Sequence, residues 1–511
     1  MALVFIIVCI TTSRLHADLR LPAILSDHMV LQQQAKVAIW GWADPGERVT
    51  VSISKQSHET KTDTGGRWRV ILEPMPATDK PQTLAVSTAT GESITIKDVL
   101  VGEVWLCAGQ SNMDFKVTYS ENREEAVANA DLPTVRVFGV NQVRSAEPQD
   151  NLDGQWKRSD AASVLSFTAV GYYFGRELNR ELDVPIGLIH DAWGGTRIEA
   201  WMPLIAFETN PILRDDLNVI RADNRAFAEA KKEAVSRMAS WLEDANKAIS
   251  TGSDIPAPPA WPTSKLAEKN KPTSIYNAML NPLTPFTIRG VTWYQGESNN
   301  GDGQIYRDRM ESMILSWRQL WDNPDLPFYY VQIAPYKYGG SLHPADALPW
   351  MWEAQRQILK MPNTGMAVIT DISDTDNLHP RNKLEVGKRL AYWALARTYG
   401  RDDVACSGPL YRDCTIVGDS IRIVFDYADG LASRDGEPLN WFAIAGEDRR
   451  FVEAYAEIDG NSVVVHSAEV ARPVAVRFAW EQTAQPNLVN GAGLPASSFR
   501  TDAWPYEKQE Q

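Results

Sequence analysis

Across residues 18–98 the chain alternates polar and apolar positions in short runs such as KVAIWGWA, RVTVSIS and RWRVILEP, separated by DPGE and TDTGG. Period-two alternation between clusters of turn-forming residues reads as half-buried strands, so this segment is predicted to be a β-rich module. From Val99 the pattern changes to solid apolar runs and helical stretches: VLVGEVWLCAG, VRVFGV, then VGYYFGRELNREL leading into VPIGLIHDAWGG. IRGVTWYQGES, FYYVQIAP and GMAVITDI continue it. Buried strands alternating with helices predict an α/β fold with an open sheet over roughly residues 101–399, inside a unit of residues 99–400. At about residues 207–273 the pattern lapses into the charged stretch RADNRAFAEAKKEAVSRMASWLEDANKAI and then IPAPPAWPTS, read as a helical insertion plus a Pro-rich linker. Strand alternation returns in IRIVFDYA, NWFAIAGE, SVVVHS and VAVRFAW, predicting a second β-rich module over residues 401–511.

Length and charge narrow the partners. A chain of 511 residues exceeds one ordinary core and has room for a large enzyme of two or three domains. Its formal charge of -14 disfavours nucleic acid, whose phosphates would repel an acidic surface, and disfavours an anionic membrane surface for the same reason. The opening MALVFIIVCI is too short an apolar run to span a bilayer, and TTSRLHAD follows with room for cleavage after Ala17. Residues 1–17 are therefore expected to be a signal peptide, the mature chain secreted or periplasmic with no membrane insertion, and Cys9 not a lipid anchor.

Cys107, in VWLC, reads as a small buried residue rather than a reactive thiol. Cys406 and Cys414 flank SGPLYRD, a turn-like stretch that could bring them within bridging distance in an oxidising compartment. No CxxC pair, HExxH or other spaced ligand set occurs, so the sequence makes no case for a bound metal.

Four segments could carry chemistry, and each ends a predicted strand. In VGEVWLCAGQSNMDF, Ser111 follows a buried strand in a turn with Gly109, where backbone N–H groups could face a developing oxyanion. In DISDTDNLHPRNKLEVGKRLA, Asp376 stands three residues before His379, close enough in sequence to orient an imidazole for proton transfer, with Asp374 and Asp371 as alternative acids. GVTWYQGESNNGDG offers Gln295, an amide donor, and Glu297, while Gly194 and Gly195 in IHDAWGGTRIEAW would permit close backbone approach. Each also has an ordinary reading: a serine that caps a helix, an aspartate that caps a turn, a glycine pair in a bend.

Taken in order, GQSNM, WGGT, WYQGES and DNLHP resemble the SGNH hydrolases, and more closely the sialate O-acetylesterases with their acetyl-xylan esterase relatives. The resemblance covers nearly the whole mature chain, including SLHPADALPWMWEAQRQILK, SGPLY and GLPASSFRTD. It implies a flavodoxin-like, three-layer α/β/α domain with a mostly parallel sheet, and a serine esterase that removes O-acetyl groups from a glycan without metal or organic cofactor. By resemblance Ser111 is the nucleophile, His379 the base and Asp376 its orienting acid. The oxyanion donors are then the backbone N–H of Ser111, a backbone N–H of Gly194 or Gly195, and the Gln295 side chain, with Gln110, Asn112, Trp193, Arg197 and Glu297 expected at the substrate. Two departures stand out: WYQGES replaces the GxND block of many members, and Asn377-Leu378-His379-Pro380 replaces Asp-Ile-His-Pro.

The implied partner is an acetylated carbohydrate, 9-O-acetylated sialic acid first and acetylated xylan or another polysaccharide second; a non-catalytic carbohydrate-binding protein is the alternative outside catalysis. The 18 tryptophans fit a sugar ligand, since indole faces bury against pyranose rings; Trp193, Trp201, Trp293, Trp350 and Trp352 flank the motifs, though most tryptophans should be core. Arg197 could pair with a sialic acid carboxylate, whereas Arg356 is expected in a structural ion pair.

Overall fold

The computed structural model describes residues 18–339 and 346–505; the expected signal peptide, with Cys9, lies outside them. The organising element is β1 (Ser93–Gly109), apolar and buried along its second half because parallel strands covered on both faces have no solvent side. The central sheet adds β2 (Leu132–Val140), β3 (Gly154–Ser159), β4 (Ile186–Ala192), β5 (Gly290–Tyr294), β6 (Phe328–Val331) and β7 (Thr364–Ala367). Their order is β7-β6-β5-β1-β4-β2-β3, parallel throughout except for the antiparallel edge strand β3. With the edge pair β2–β3 set aside, the other five parallel strands follow the flavodoxin-like order 2-1-3-4-5, as the resemblance implies.

The helices are α1 (Ser111–Asp114), one turn long, directly after β1, then α2 (Ala169–Leu182), α3 (Arg214–Thr251), α4 (Ile305–Leu320), α5 (Ala347–Gln357) and α6 (Lys383–Trp393). α3 and the Pro-rich stretch after it make up the predicted insertion; α3 buries only Leu217, Ile220, Ala234, Ala245 and Ala248, which is why it is charged around most of its circumference. Among the described residues no helix is long and apolar enough to cross a membrane.

The expected boundary at residues 98/99 falls inside β1. The first half of this strand pairs antiparallel with Thr78–Thr88, its second half pairs parallel with β4 and β5, and the chain passes between the two environments at Asp98, whose φ is +55°. One hydrophobic core accordingly runs from Leu19 and Val30 through Trp105 to Leu395, so the N-terminal strands extend the hydrolase unit. The C-terminal strands, Ser420–Asp426, Ser462–His466 and Ala475–Phe478 among them, do enclose a core of their own around Ile423, Val463, Phe478 and Phe499.

The possible Cys406–Cys414 bridge is corrected: both cysteines are free. The chain between them forms no turn and leads into the strand Leu410–Val417, which places Cys414 opposite Ile423 while Cys406 stays buried beside Arg397. Cys107 is fully buried, and desolvation pushes its thiol up to about 12 against a weaker hydrogen bond from Thr292, leaving it unreactive as expected.

The end of β1 is held by backbone alone. Gly109, at φ +141°, lies so close to β5 that a Cβ would sit 2.2 Å from the Tyr294 carbonyl oxygen. Gln110 N–H donates to that same oxygen at 3.0 Å, and Trp193 N–H donates to the Gly109 carbonyl at 3.0 Å. Gly109→Ala combines a forbidden approach with a disfavoured φ and is expected to cost more than about 2 kcal/mol, read as a lowered urea midpoint. An unchanged midpoint would show that β1 and β5 can separate freely at this end.

Candidate active site

Ser111 starts α1 at the carboxyl end of β1, where the sheet order reverses and open α/β sheets form their crevice. His379 arrives on the loop between β7 and α6, and its Nε2 lies 2.8 Å from Ser111 Oγ. The half-buried imidazole stacks on Phe115, centroids 6.5 Å apart at 24°. Its pKa is held below the ordinary histidine value, first by burial and then by the nearby Lys383 ammonium. Across the crevice, a Cβ on Gly194 would meet Ser111 Cβ at 3.3 Å, so the absent side chain lets the β4 loop close on the serine. Gly195 has no Ser111 atom within that reach; it turns the chain at φ +69°. Of the predicted pair, Gly194 is thus the one at the serine.

Several expected site residues have other duties. Gln295 is fully buried and donates both Nε2 hydrogens internally, to the Thr196 carbonyl at 3.0 Å and Asn299 Oδ1 at 2.7 Å, while its Oε1 accepts from Tyr306. It has no hydrogen left for an oxyanion, which corrects its assignment as a donor. Asn112 is fully buried too: its Nδ2 donates to Glu297 Oε1 and to the Leu378 carbonyl, and its Oδ1 accepts from Lys383. Asn112 and Glu297 therefore brace the His379 loop instead of contacting substrate. Arg197 is engaged by Glu199 and Asp302, each at 2.8 Å, and donates to the Ser298 carbonyl, within a cluster that continues to Arg309 and Asp216. Gln110 accepts at Oε1 from the N–H groups of Gly296 and Ser298, but its Nε2 makes no hydrogen bond among the described residues.

The acid was not settled by spacing. Asp376 is exposed and gives its own N–H to Asp374 Oδ1; Asp371 is locked bidentately to Arg389 at 2.6 and 2.7 Å. Among the described residues no carboxylate hydrogen-bonds to His379. The Asn377 side chain instead accepts from the His379 N–H, an Asx-type turn that directs the loop and leaves Asp376 facing solvent. This corrects Asp376 as the orienting partner, and neither alternative replaces it.

Of the five flanking tryptophans, Trp201, Trp293, Trp350 and Trp352 are core residues, and only Trp193 is half-buried beside the site. Lys269, contributed by the end of the insertion, places its ammonium 5.2 Å over the Trp193 ring and bonds the Gly194 carbonyl. No sequence signal points to it, because nothing local marks which lysine a long insertion returns to the sheet. Next to α1 lies a cavity of about 410 Å³ lined by Asp114, Lys116, Gln142, Lys157 and His190. Burial would raise Asp114, but His190 at 3.3 Å and Lys116 at 2.9 Å outweigh it and hold the carboxyl at about 2. Among the described residues no His, Cys, Asp or Glu cluster is arranged to hold a metal ion.

The parallel α/β sheet and the Ser111–His379 pair at its carboxyl edge are the arrangement of an α/β hydrolase. The family model described as carbohydrate esterase, sialic acid-specific acetylesterase, matches residues 101–225 and 257–396, more than half of the chain. The chain belongs to this family. It is 30% identical to the human sialate O-acetylesterase over 94% of this chain and 92% of that one, and 28% identical to the mouse enzyme over 90% and 89%. The crystal structure of a carbohydrate acetylesterase from Xanthomonas citri superposes with a TM-score of 0.80 at 34% identity, covering 95% of this chain and all of that one.

Gln295→Ala would remove the side-chain donor to the buried Thr196 carbonyl and one of two partners each of Asn299 Oδ1 and the Tyr306 hydroxyl, and is expected to destabilise by about 1–3 kcal/mol. Denaturant unfolding checks this; full stability with kcat reduced would return Gln295 to the oxyanion.

Proposed function

We propose that this carbohydrate esterase removes O-acetyl groups through an acetyl-serine intermediate on Ser111, with His379 as general base and then general acid. The supporting observation is the 2.8 Å hydrogen bond between His379 Nε2 and Ser111 Oγ in a crevice closed by Gly194. His379 takes the hydroxyl proton as Oγ attacks the acetyl carbonyl, and the tetrahedral oxyanion faces the backbone N–H groups of Ser111 and Gly194. Gln110, whose Nε2 is unbonded beside the serine, is the amide side chain free to serve as third donor, in place of Gln295. The intermediate collapses with the proton passing from His379 to the departing sugar oxygen. Water, deprotonated by His379, then attacks the acetyl-serine carbonyl, and the C–Oγ bond breaks as His379 returns the proton to Ser111 Oγ and acetate leaves.

The family description and the relatives' names support an O-acetylated sialic acid as substrate, with the 9-O position carried over from the sequence resemblance. A second reading, a neutral acetylated polysaccharide, draws support from Arg197, which is consumed by Glu199 and Asp302. Arg356 is half-buried over the Tyr411 ring and, among the described residues, is not in the structural ion pair expected of it. The proposed place of action, outside the cytoplasm, rests on the N-terminal sequence alone.

Acetate release from 9-O-acetylated sialic acid and from acetylated xylan is the deciding assay. Ser111→Ala is expected to lower it by about 10⁴-fold or more on the true substrate, with the fold intact by circular dichroism. Retained activity would remove Ser111 as nucleophile. Asp376→Asn, changing an exposed carboxylate unbonded to His379, is expected to leave kcat within about threefold; a loss near 10⁴-fold would restore it as the triad acid.

A further inference from the structure

α6 begins with a lysine, the charge that a helix N-terminus disfavours, and this lysine is completely buried. Lys383 Nζ donates to Asn112 Oδ1 and lies 5.0 Å from the Phe115 ring centroid and 5.1 Å from that of Tyr294. Phe115 carries His379 stacked on it, and Asn112 holds the carbonyl of Leu378, the residue before His379. The ammonium is thus connected to the imidazole by a shared aromatic ring and by one amide, at a site where no carboxylate among the described residues bonds the histidine.

We propose that Lys383 is a positioning residue for His379: its buried ammonium, gripped by Asn112, Phe115 and Tyr294, fixes the His379 loop and opposes protonation of the imidazole. The inference rests on the reading of His379 as general base. The consequence is a base that stays unprotonated into mildly acidic solution. Burial pushes Lys383 itself down to about 7, offset in part by Glu297, so the lysine is charged below neutrality, the range in which an ordinary histidine would become protonated.

Other charged groups surround the pair. Glu297, raised by burial and bound to Asn112, faces Lys383 from the loop after β5, with Tyr294 at the end of that strand and Tyr338 near Glu297. On the histidine loop Asp374 and Asp376 are exposed, and Arg381 is turned to the Tyr119 carbonyl. Asp114 and Lys116, flanking Phe115 in sequence, pair with each other at 2.9 Å. Of these, Lys383 is the group whose charge bears on His379 through the shared ring.

The test is the His379 titration, followed by NMR on histidine-labelled protein and assigned with His379→Gln, beside the pH profile of kcat/KM. In the wild type the imidazole is expected to titrate below the ordinary value of about 6.5. Lys383→Met, and Lys383→Gln, which keeps a donor for Asn112, are expected to move the titration and the acid limb of kcat/KM upward together. A shift of about half a pH unit corresponds to roughly threefold lower kcat/KM on that limb, with the alkaline plateau within threefold of wild type for the Gln variant. A wild-type imidazole with an ordinary or raised value, or one unmoved in both variants, overturns the proposal. Should neither variant fold, the wild-type titration decides. Absence of Ser111-dependent acetate release would defeat the esterase reading while leaving the titration of His379 to judge Lys383.

Discussion

The site depends on the contact between two backbones at Gly109 and Tyr294. With no Cβ at Gly109, β1 and β5 close to a distance that no other residue permits, and the Gln110 N–H and Gly109 carbonyl stitch β1 to the chain leaving β5 and β4. Serine, glycine and the acidic loop are thereby brought to one crevice from strands far apart in sequence. A parallel sheet makes this possible because all its carboxyl ends lie on one side, so loops of unrelated sequence converge there.

Beneath the crevice is a buried polar layer tied together by side-chain hydrogen bonds. Gln295 ties Thr196 and Asn299 to Tyr306; Asn112 ties Glu297 and Lys383 to the histidine loop; Arg197 and Arg309 neutralise Glu199 and Asp302. Burial raises Glu199, yet the two guanidiniums outweigh it and hold the carboxyl below its ordinary value, so Glu199 contributes stability above the unfolded carboxylate pKa and loses it as pH falls through the folded one. Rigid support of this kind holds Ser111 Oγ and His379 Nε2 at hydrogen-bonding distance, with no carboxylate bonded to the imidazole among the described residues.

How much was legible in the sequence divides along the same line. Period and composition located the strands of the central sheet, the insertion and the C-terminal β-strands, because burial on one face or both leaves a direct imprint on hydrophobic pattern. The boundary at residues 98/99 was drawn where alternation stopped, and there the pattern changed while the strand did not: β1 leaves a half-exposed environment for a fully buried one. The order of the motifs placed Ser111, Gly194 and His379 at strand ends, and these three do meet.

The sequence by itself determined the fold class and which loops form the site through local pattern and residue type, and the family through the resemblance that its motifs carry. Only the tertiary structure decided what each polar side chain in those loops does. An amide reads the same whether it faces an oxyanion or a buried carbonyl, and Gln295 is of the second kind. An aspartate three residues before a histidine can turn toward it or away, and the Asn377 turn sends Asp376 to solvent. Lys383 reads as a helix-surface lysine until the sheet, the serine helix and the histidine loop close around it. The physical reason is that hydrogen-bond partners and burial are properties of the assembled site, set by residues tens to hundreds of positions apart, whereas pattern and spacing report only on neighbours along the chain.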